Sequence, residues 1–258
     1  MQIATWNVNS VRARQERVTA FLQRTNVDVL AMQEIKCKPE QFPVEAFEAI
    51  GYKIISHGLN QWNGVAFAYK QDLEAEDIET SFDQQPEFKD VQEARALGAT
   101  FNGVRVWSLY VPNGRGLDDP HMQYKLEFLD RLAATTAEQL EMDPELEIAL
   151  VGDFNVAPLD SDVYDLSLFE THVSEPERDA FSAFEQIGLT DKVRELVPDI
   201  YTYWDYKDLC FPKNNGMRID FMLTSDALTE RIESASIERD ERKGELPSDH
   251  VPVVISLS

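Results

Sequence analysis

The segment Ile148-Ala149-Leu150-Val151-Gly152-Asp153-Phe154-Asn155 decides the fold. Its four leading apolar residues end at a glycine, too short a run for a helix, and read as a strand buried on both faces. The strand runs out into a carboxylate and an amide. The pattern recurs along the chain. Ile3-Ala4-Thr5-Trp6 leads into Asn7, Val29-Leu30-Ala31-Met32 into Gln33-Glu34, and the run 106–111 into Pro112-Asn113. Two other runs begin polar: Asp220 opens Phe221-Met222-Leu223, and Asp249-His250 open 251–255. Buried strands with such ends line one sheet edge with acids, amides and a histidine. A metal-dependent hydrolytic site is built that way, on a rigid scaffold.

Working outward, further strands are expected at 53–56, 63–70, 95–102 and 234–239, beside those at 2–8, 28–34, 104–111, 147–153, 218–223 and 251–257. Asn102-Gly103 between two β-rich runs predicts a tight hairpin, so antiparallel pairing is present. Val18, Phe21 and Leu22 place a helix over 13–25. Met122, Lys125, Leu126, Leu129, Leu132 and Ala133 form one stripe of a helix over 121–141, with Pro120 just before it. Phe181, Phe184 and Ile187 mark a third helix stopped by Gly188, and Thr190 is the expected N-cap of a short helix through Leu196. Strands apolar on both faces need cover on both sides. The predicted fold class is therefore α/β: a four-layered sandwich of two packed, mixed, largely antiparallel sheets flanked by helices. In antiparallel pairing the end of one run meets the start of its neighbour, which brings Asp153 towards Asp220.

With no linker, repeat or low-complexity segment, 1–258 reads as a single domain. A 43% hydrophobic content supplies a large core, yet no run approaches the ~18 apolar residues of a membrane span. The chain enters a strand directly after Met1, without a secretory pattern. Cys37 and Cys210 are the only cysteines, too few for a disulfide framework and without zinc spacing. These features point to the cytoplasm. The net charge of −23 repels polyanions on average. Basic residues nevertheless gather beside the polar strand ends: Arg12, Arg14 and Arg17; Lys36 and Lys38; Lys213 and Arg218. Such a rim can hold a DNA backbone, or be ordinary solvated charge.

Each island has its own chemistry. A carboxylate at Glu34 suits a hard cation such as magnesium, or a surface ion pair. Asp153 can orient or deprotonate a water, and Asn155, two residues on, can hold that water or a phosphate; the same four residues also make an Asx turn leaving a strand. His250 can donate to a phosphate, with Asp220 fixing its tautomer. Asn7, Tyr110 and Asn113 are neutral donors for phosphate oxygens. The remaining histidines, His57, His121 and His172, read as structural.

Seven islands in this order resemble one family: Thr5-Trp6-Asn7, Gln33-Glu34-Ile35-Lys36, Tyr110-Val111-Pro112-Asn113-Gly114, Gly152 to Pro158, Tyr201-Thr202-Tyr203-Trp204-Asp205-Tyr206, Asn215 to Asp220, and Ser248-Asp249-His250. The chain resembles the exonuclease III family of apurinic/apyrimidinic endonucleases, within the endonuclease/exonuclease/phosphatase superfamily, over essentially its whole length. The resemblance implies a four-layered α/β sandwich and magnesium-dependent cleavage of duplex DNA 5′ to abasic sites, with manganese able to substitute. The products would be a 3′-hydroxyl and a 5′-deoxyribose phosphate. It also implies 3′→5′ exonuclease and 3′-phosphodiesterase activity on damaged 3′ ends, and a monomer with no membrane partner.

By position, the resemblance makes Glu34 the main metal ligand with Asn7 beside it, and Asp249 a support for the metal directly or through water. Asp153 would activate the water with Asn155. His250, paired with Asp220, would engage the scissile phosphate, which Tyr110 and Asn113 also contact. Tyr203, Met217 and Ile219 would line the pocket for an extrahelical sugar, and Arg12, Lys36, Trp204 and Arg218 complete the expected substrate-binding set. The chain departs from some members in carrying Asn9 where they have an acidic ligand, and Met217 where they have tryptophan. A phosphoesterase acting on inositol phosphates, sphingomyelin or RNA is the alternative enzyme, against which the Tyr201–Tyr206 segment speaks. A catalytically dead binding module would lack at least one of Glu34, Asp153, Asp220 and His250, and all are present.

Overall fold

A computed structural model describes residues 1–258. In chain order the strands are β1 (Gln2–Asn7), β2 (Val29–Gln33), β3 (Tyr52–His57), β4 (Val65–Lys70), β5 (Glu76–Glu79), β6 (Ala96–Phe101), β7 (Val104–Tyr110), β8 (Ile148–Asp153), β9 (Asp220–Thr224), β10 (Ile232–Ile237) and β11 (Val253–Leu257). The helices are α1 (Val11–Thr25), α2 (Val44–Glu48), α3 (Pro120–Met142), α4 (Glu175–Gln186), α5 (Lys192–Leu196), α6 (Cys210–Lys213) and α7 (Asp226–Thr229).

Two sheets form, of six strands in the order β10-β11-β1-β2-β4-β3 and five in the order β5-β6-β7-β8-β9. Their pairings are antiparallel except β1 with β2 and β7 with β8. Alternation along the strands sorts the side chains into three cores. Ile3, Ala31 and Phe67 of one sheet meet Val106, Val151 and Met222 of the other between the sheets. Ala4, Trp6, Leu30 and Met32 turn outward onto Val18, Phe21, Leu22 and Phe47 of α1 and α2. Leu109, Leu150, Phe221 and Leu223 turn outward onto Phe128, Leu129, Leu132, Phe181 and Phe184 of α3 and α4. The layers run helix, sheet, sheet, helix, as the doubly apolar strands require.

The Asn102-Gly103 turn has φ of 50° and 82°, the left-handed pair that a two-residue hairpin needs. Gly152 serves a different purpose. Its φ is +143°, and a Cβ there would lie 2.0 Å from the Leu109 carbonyl oxygen. The glycine lets β7 and β8 close up immediately before Asp153, so it is another backbone, not a substrate, that approaches it.

Two expectations need correcting. The short helix α5 is capped by Asp191, whose Oδ1 accepts the Arg194 N–H at 3.1 Å, and not by Thr190. Thr190 instead exchanges backbone hydrogen bonds with Thr224, at 2.9 and 3.0 Å, extending the edge of β9. Strand β5, with all four residues exposed, was not expected at all.

Candidate active site

Sheet register delivers the first two acids. In the β8–β9 pair Asp153 stands opposite Asp220, and in the β1–β2 pair Asn7 stands opposite Gln33, one residue before Glu34. Glu34 leaves its strand in the left-handed region at φ 50°, a conformation costing a non-glycine residue about 1 kcal/mol. Its carbonyl accepts the Ser10 N–H at 2.7 Å, which holds it there.

Asn7 is fully buried and links the two sheets' acids. Its Nδ2 donates to Glu34 Oε1 at 2.9 Å and to Asp153 Oδ2 at 3.0 Å, while its Oδ1 accepts the Asn9 N–H. Lys36 sits 2.9 Å from Glu34 Oε2. Burial works against the Glu34 carboxylate, but the Lys36 charge and the Asn7 hydrogen bond hold its pKa below the ordinary value. Asn9 Nδ2 reaches Asp249 Oδ1 at 3.1 Å, so Asp249 is tied to the loop after β1.

His250 faces Asp220 with Nδ1, 2.8 Å from Oδ2, and Asp153 with Nε2, 3.7 Å from its Oδ2. Burial disfavours the imidazolium, yet Asp220 and Asp153 outweigh it and bring the pKa up to about 10. Asp153 moves the other way. Burial pushes its carboxyl up to about 7 against the pull of His250, with Asp220 and Glu34 adding to the push. Asp220 is itself fixed by Thr202, whose Oγ1 accepts the N–H groups of Ile219 and Asp220, each at 3.1 Å.

Asp153 Oδ1 accepts the Asn155 N–H at 2.9 Å, so the Asx turn and the site residue are one feature. Asn155 Nδ2 donates to the Val111 carbonyl, and its Oδ1 meets Asn113 Nδ2 at 3.3 Å. Tyr110 carries the Arg95 guanidinium 4.8 Å from its ring centre. Burial and the Glu34 charge push its phenol well above the usual range, so the proton stays on.

These groups surround a cleft of about 210 Å³, lined by Glu34, Tyr110, Asn113, Asp153, Asn155, Tyr203, Met217, Ile219, Asp249 and His250. His172 lines it too, with Nε2 3.3 Å from both Asn113 Nδ2 and Asn155 Oδ1. It was expected to be structural. Burial and the nearby Lys125 charge lower its pKa to about 4, so it is neutral near pH 7. Nothing in its sequence neighbourhood signals the cleft, because 160–174 has neither helical nor strand periodicity.

Asn7 and Asp220 stand behind the cleft wall, and two expected binding residues stand apart from it. Trp204 is fully buried, its Nε1 donating to Asn214 Oδ1 and its ring packed edge-on against Phe211. Arg218 is buried with Nη1 on the Val197 carbonyl at 2.9 Å. Both are held by core contacts before any ligand arrives. In the basic rim, Arg14 and Arg17 are spent on carbonyls of Asn9, Glu241 and Glu245. Arg12, Lys38 and Lys213 remain exposed.

One oxygen each from Glu34 and Asp153 and one nitrogen from His250 lie within 4.8 Å of one another. This cluster has Asp153 and His250 where Asp249 was expected beside Glu34. The two carboxylates suit a hard divalent cation, and Asn7, whose Nδ2 donates to both, holds them in place. His250, held by Asp220 with its proton retained, suits a donor's role better than a ligand's.

Residues 4–250 match the Endonuclease/Exonuclease/phosphatase family. Exodeoxyribonuclease III of Haemophilus influenzae is 31% identical, over 98% of each chain. Among solved structures, an AP endonuclease from Archaeoglobus fulgidus superposes with a TM-score of 0.92 at 35% identity, covering 100% of this chain and 99% of that one. A 3′ phosphatase from Neisseria bound to product DNA hairpin gives 0.93 at 32%, with the same coverage. With the two-sheet sandwich and the clustered Asn7, Glu34, Asp153, Asp220 and His250, these likenesses establish that the chain belongs to the endonuclease/exonuclease/phosphatase family, as an enzyme of its exonuclease III and AP-endonuclease branch.

Proposed function

We propose that this protein is a magnesium-dependent DNA-repair phosphodiesterase that cleaves duplex DNA 5′ to abasic sites, leaving a 3′-hydroxyl and a 5′-deoxyribose phosphate, and that also trims damaged 3′ ends. The observation that carries the reading is Asp153, whose carboxylate is held between Asn7 and His250 on the wall of a cleft of about 210 Å³. Asp153 takes the proton of the attacking water, which Asn155 Oδ1 holds in line. The water oxygen bonds to phosphorus as the P–O3′ bond breaks, and the 3′ oxygen leaves as an alkoxide that takes a proton from solvent water to become the hydroxyl. His250 donates from Nε2 to a phosphate oxygen, and Asp220 keeps the imidazole charged and aimed. Tyr110, its proton retained, and Asn113 donate to the same phosphate. Glu34, steadied by Asn7 beside it, and Asp249 through water would hold a magnesium ion, for which manganese can substitute and which would stabilise charge on the phosphate and the leaving oxygen. Tyr203, Met217 and Ile219 receive the displaced sugar. Arg12 and Lys36, with exposed Lys38 and Lys213, take the DNA backbone. The enzyme works as a monomer, a single domain over 1–258, in the cytoplasm; no helix is long and apolar enough to cross a membrane.

A second reading ranks the 3′ end first. His172 adds a third polar side chain to the wall formed by Asn113 and Asn155, which suits the extra charge of a terminal phosphate. The Neisseria structure, described as a 3′ phosphatase, supports it. Three duplexes separate the readings: one with an internal abasic analogue, one intact, and one ending in a 3′-phosphate, each with magnesium and with a chelator. Magnesium-dependent incision at the abasic site supports the first reading. Phosphate release without incision supports the second. No reaction on any duplex refutes both.

A further inference from the structure

Lys125 belongs to the apolar stripe of α3, between Met122 and Leu129, and its side chain is wholly buried. Its ammonium pairs with Glu177 of α4, equally buried, and donates to the main-chain carbonyls of Asn155 at 2.6 Å and Asn113 at 3.2 Å. An ammonium has three protons, and here each has an acceptor. Glu177 in turn accepts from the Ser174 hydroxyl at 2.6 Å and the Ser174 N–H at 3.3 Å. Ser174 lies two residues beyond His172. One buried ion pair thus ties together the loops that carry Asn113, Asn155 and His172, the three side chains forming one wall of the cleft.

Stability alone does not account for the pair. Apolar residues of similar volume fill such a space as well or better, because both charges must be desolvated. A methionine or leucine would lack donors aimed at two particular carbonyls. We infer that Lys125 is a positioning residue of the phosphodiesterase centre, with Glu177 as its anchor: its ammonium fixes where Asn113 and Asn155 stand relative to Asp153. The inference rests on the reading of this cleft as the phosphodiester site. Misplacing a reacting group by ~1 Å costs about 10²-fold in turnover, so the clamp acts on kcat.

The test is the Lys125→Met/Glu177→Met double variant, which removes both charges together and keeps the volume. Thermal midpoint, kcat and KM on duplex DNA, and the side-chain amide NMR signals of Asn113 and Asn155 are compared with the parent. The expected result is a midpoint within a few degrees, kcat lower by about 10²-fold with KM little changed, and both amide signals shifted. Parental kcat in the folded double variant overturns the inference. So does a loss of kcat that merely follows unfolding. The amide signals decide independently of DNA cleavage. Unmoved signals refute the clamp even in an active enzyme; moved signals in a parent that cuts no DNA uphold it and refute only the reading of the cleft.

Discussion

Asp220, which opens β9 of one sheet, and His250, three residues before β11 of the other, meet at 2.8 Å with both side chains almost entirely out of water. The carboxylate fixes the Nδ1 proton, leaving Nε2 to face Asp153 and the cleft. Neither residue performs its part alone. His250→Ala and Asp220→Ala should each lower kcat by about 10²–10⁴-fold, and the double variant should be within about tenfold of the worse single one. Multiplying losses in single-turnover assays would dissolve the pair.

Asp153→Ala should reduce cleavage by at least about 10²-fold, the scale of losing a positioned acid–base group. Asn7 is left with Glu34 as its one carboxylate partner, so folding survives and the loss falls on turnover. Near-parental turnover in a variant with a normal circular dichroism spectrum would remove Asp153 from the chemistry.

Gly152→Ala should destabilise the fold by about 3 kcal/mol or more, since the new methyl lands on the Leu109 carbonyl and φ is positive. Gly103→Ala provides the contrast. Its φ is +82°, but no atom lies within 4 Å, so only the conformational cost of about 1 kcal/mol remains. Urea midpoints of the two variants measure the difference.

His172 makes stability depend on pH. Its pKa is near 6.5 in the unfolded chain and about 4 in the folded one. Between these values the unfolded state binds more protons, so stability falls as pH drops from about 6.5 to 4 and levels off below. His172→Asn removes this contribution, worth on the order of 3 kcal/mol over the window. Urea denaturation at pH 7 and pH 4.5 should show the parent losing more stability than the variant; equal losses would mean the imidazole keeps its proton when folded.

Most of the architecture was legible because buried strands announce themselves. The runs ending at Asn7, Glu34 and Asp153 and those opening at Asp220 and His250 are too apolar and too short to be anything else, and antiparallel register then forces Asp153 onto Asp220. Strand β5, Glu-Asp-Ile-Glu, is an exposed edge that pairs through its backbone alone, so its side chains carry no strand pattern. His172 was misjudged, and the partners of Lys125 went unforeseen, for a different reason. A histidine in an aperiodic loop, or a lysine within an apolar stripe, acquires its meaning from partners on other elements. Trp204 and Arg218 sit in family-like motifs, but sequence does not tell which way a side chain turns, and both turn into the core.

The six-stranded sheet places β1 between β2 and β11, with the Trp6 indole on the His250 carbonyl across 244 positions of chain. Strand β1 therefore waits for β11 to fill its second edge. A chain emerging from the ribosome has Glu34 and Asp153 before it has His250, and it carries an open edge on β1 until β11 follows. Cutting ability and the folded state arrive together. A chain arrested before residue 249 lacks His250 and the strand that positions it, and so has no assembled centre.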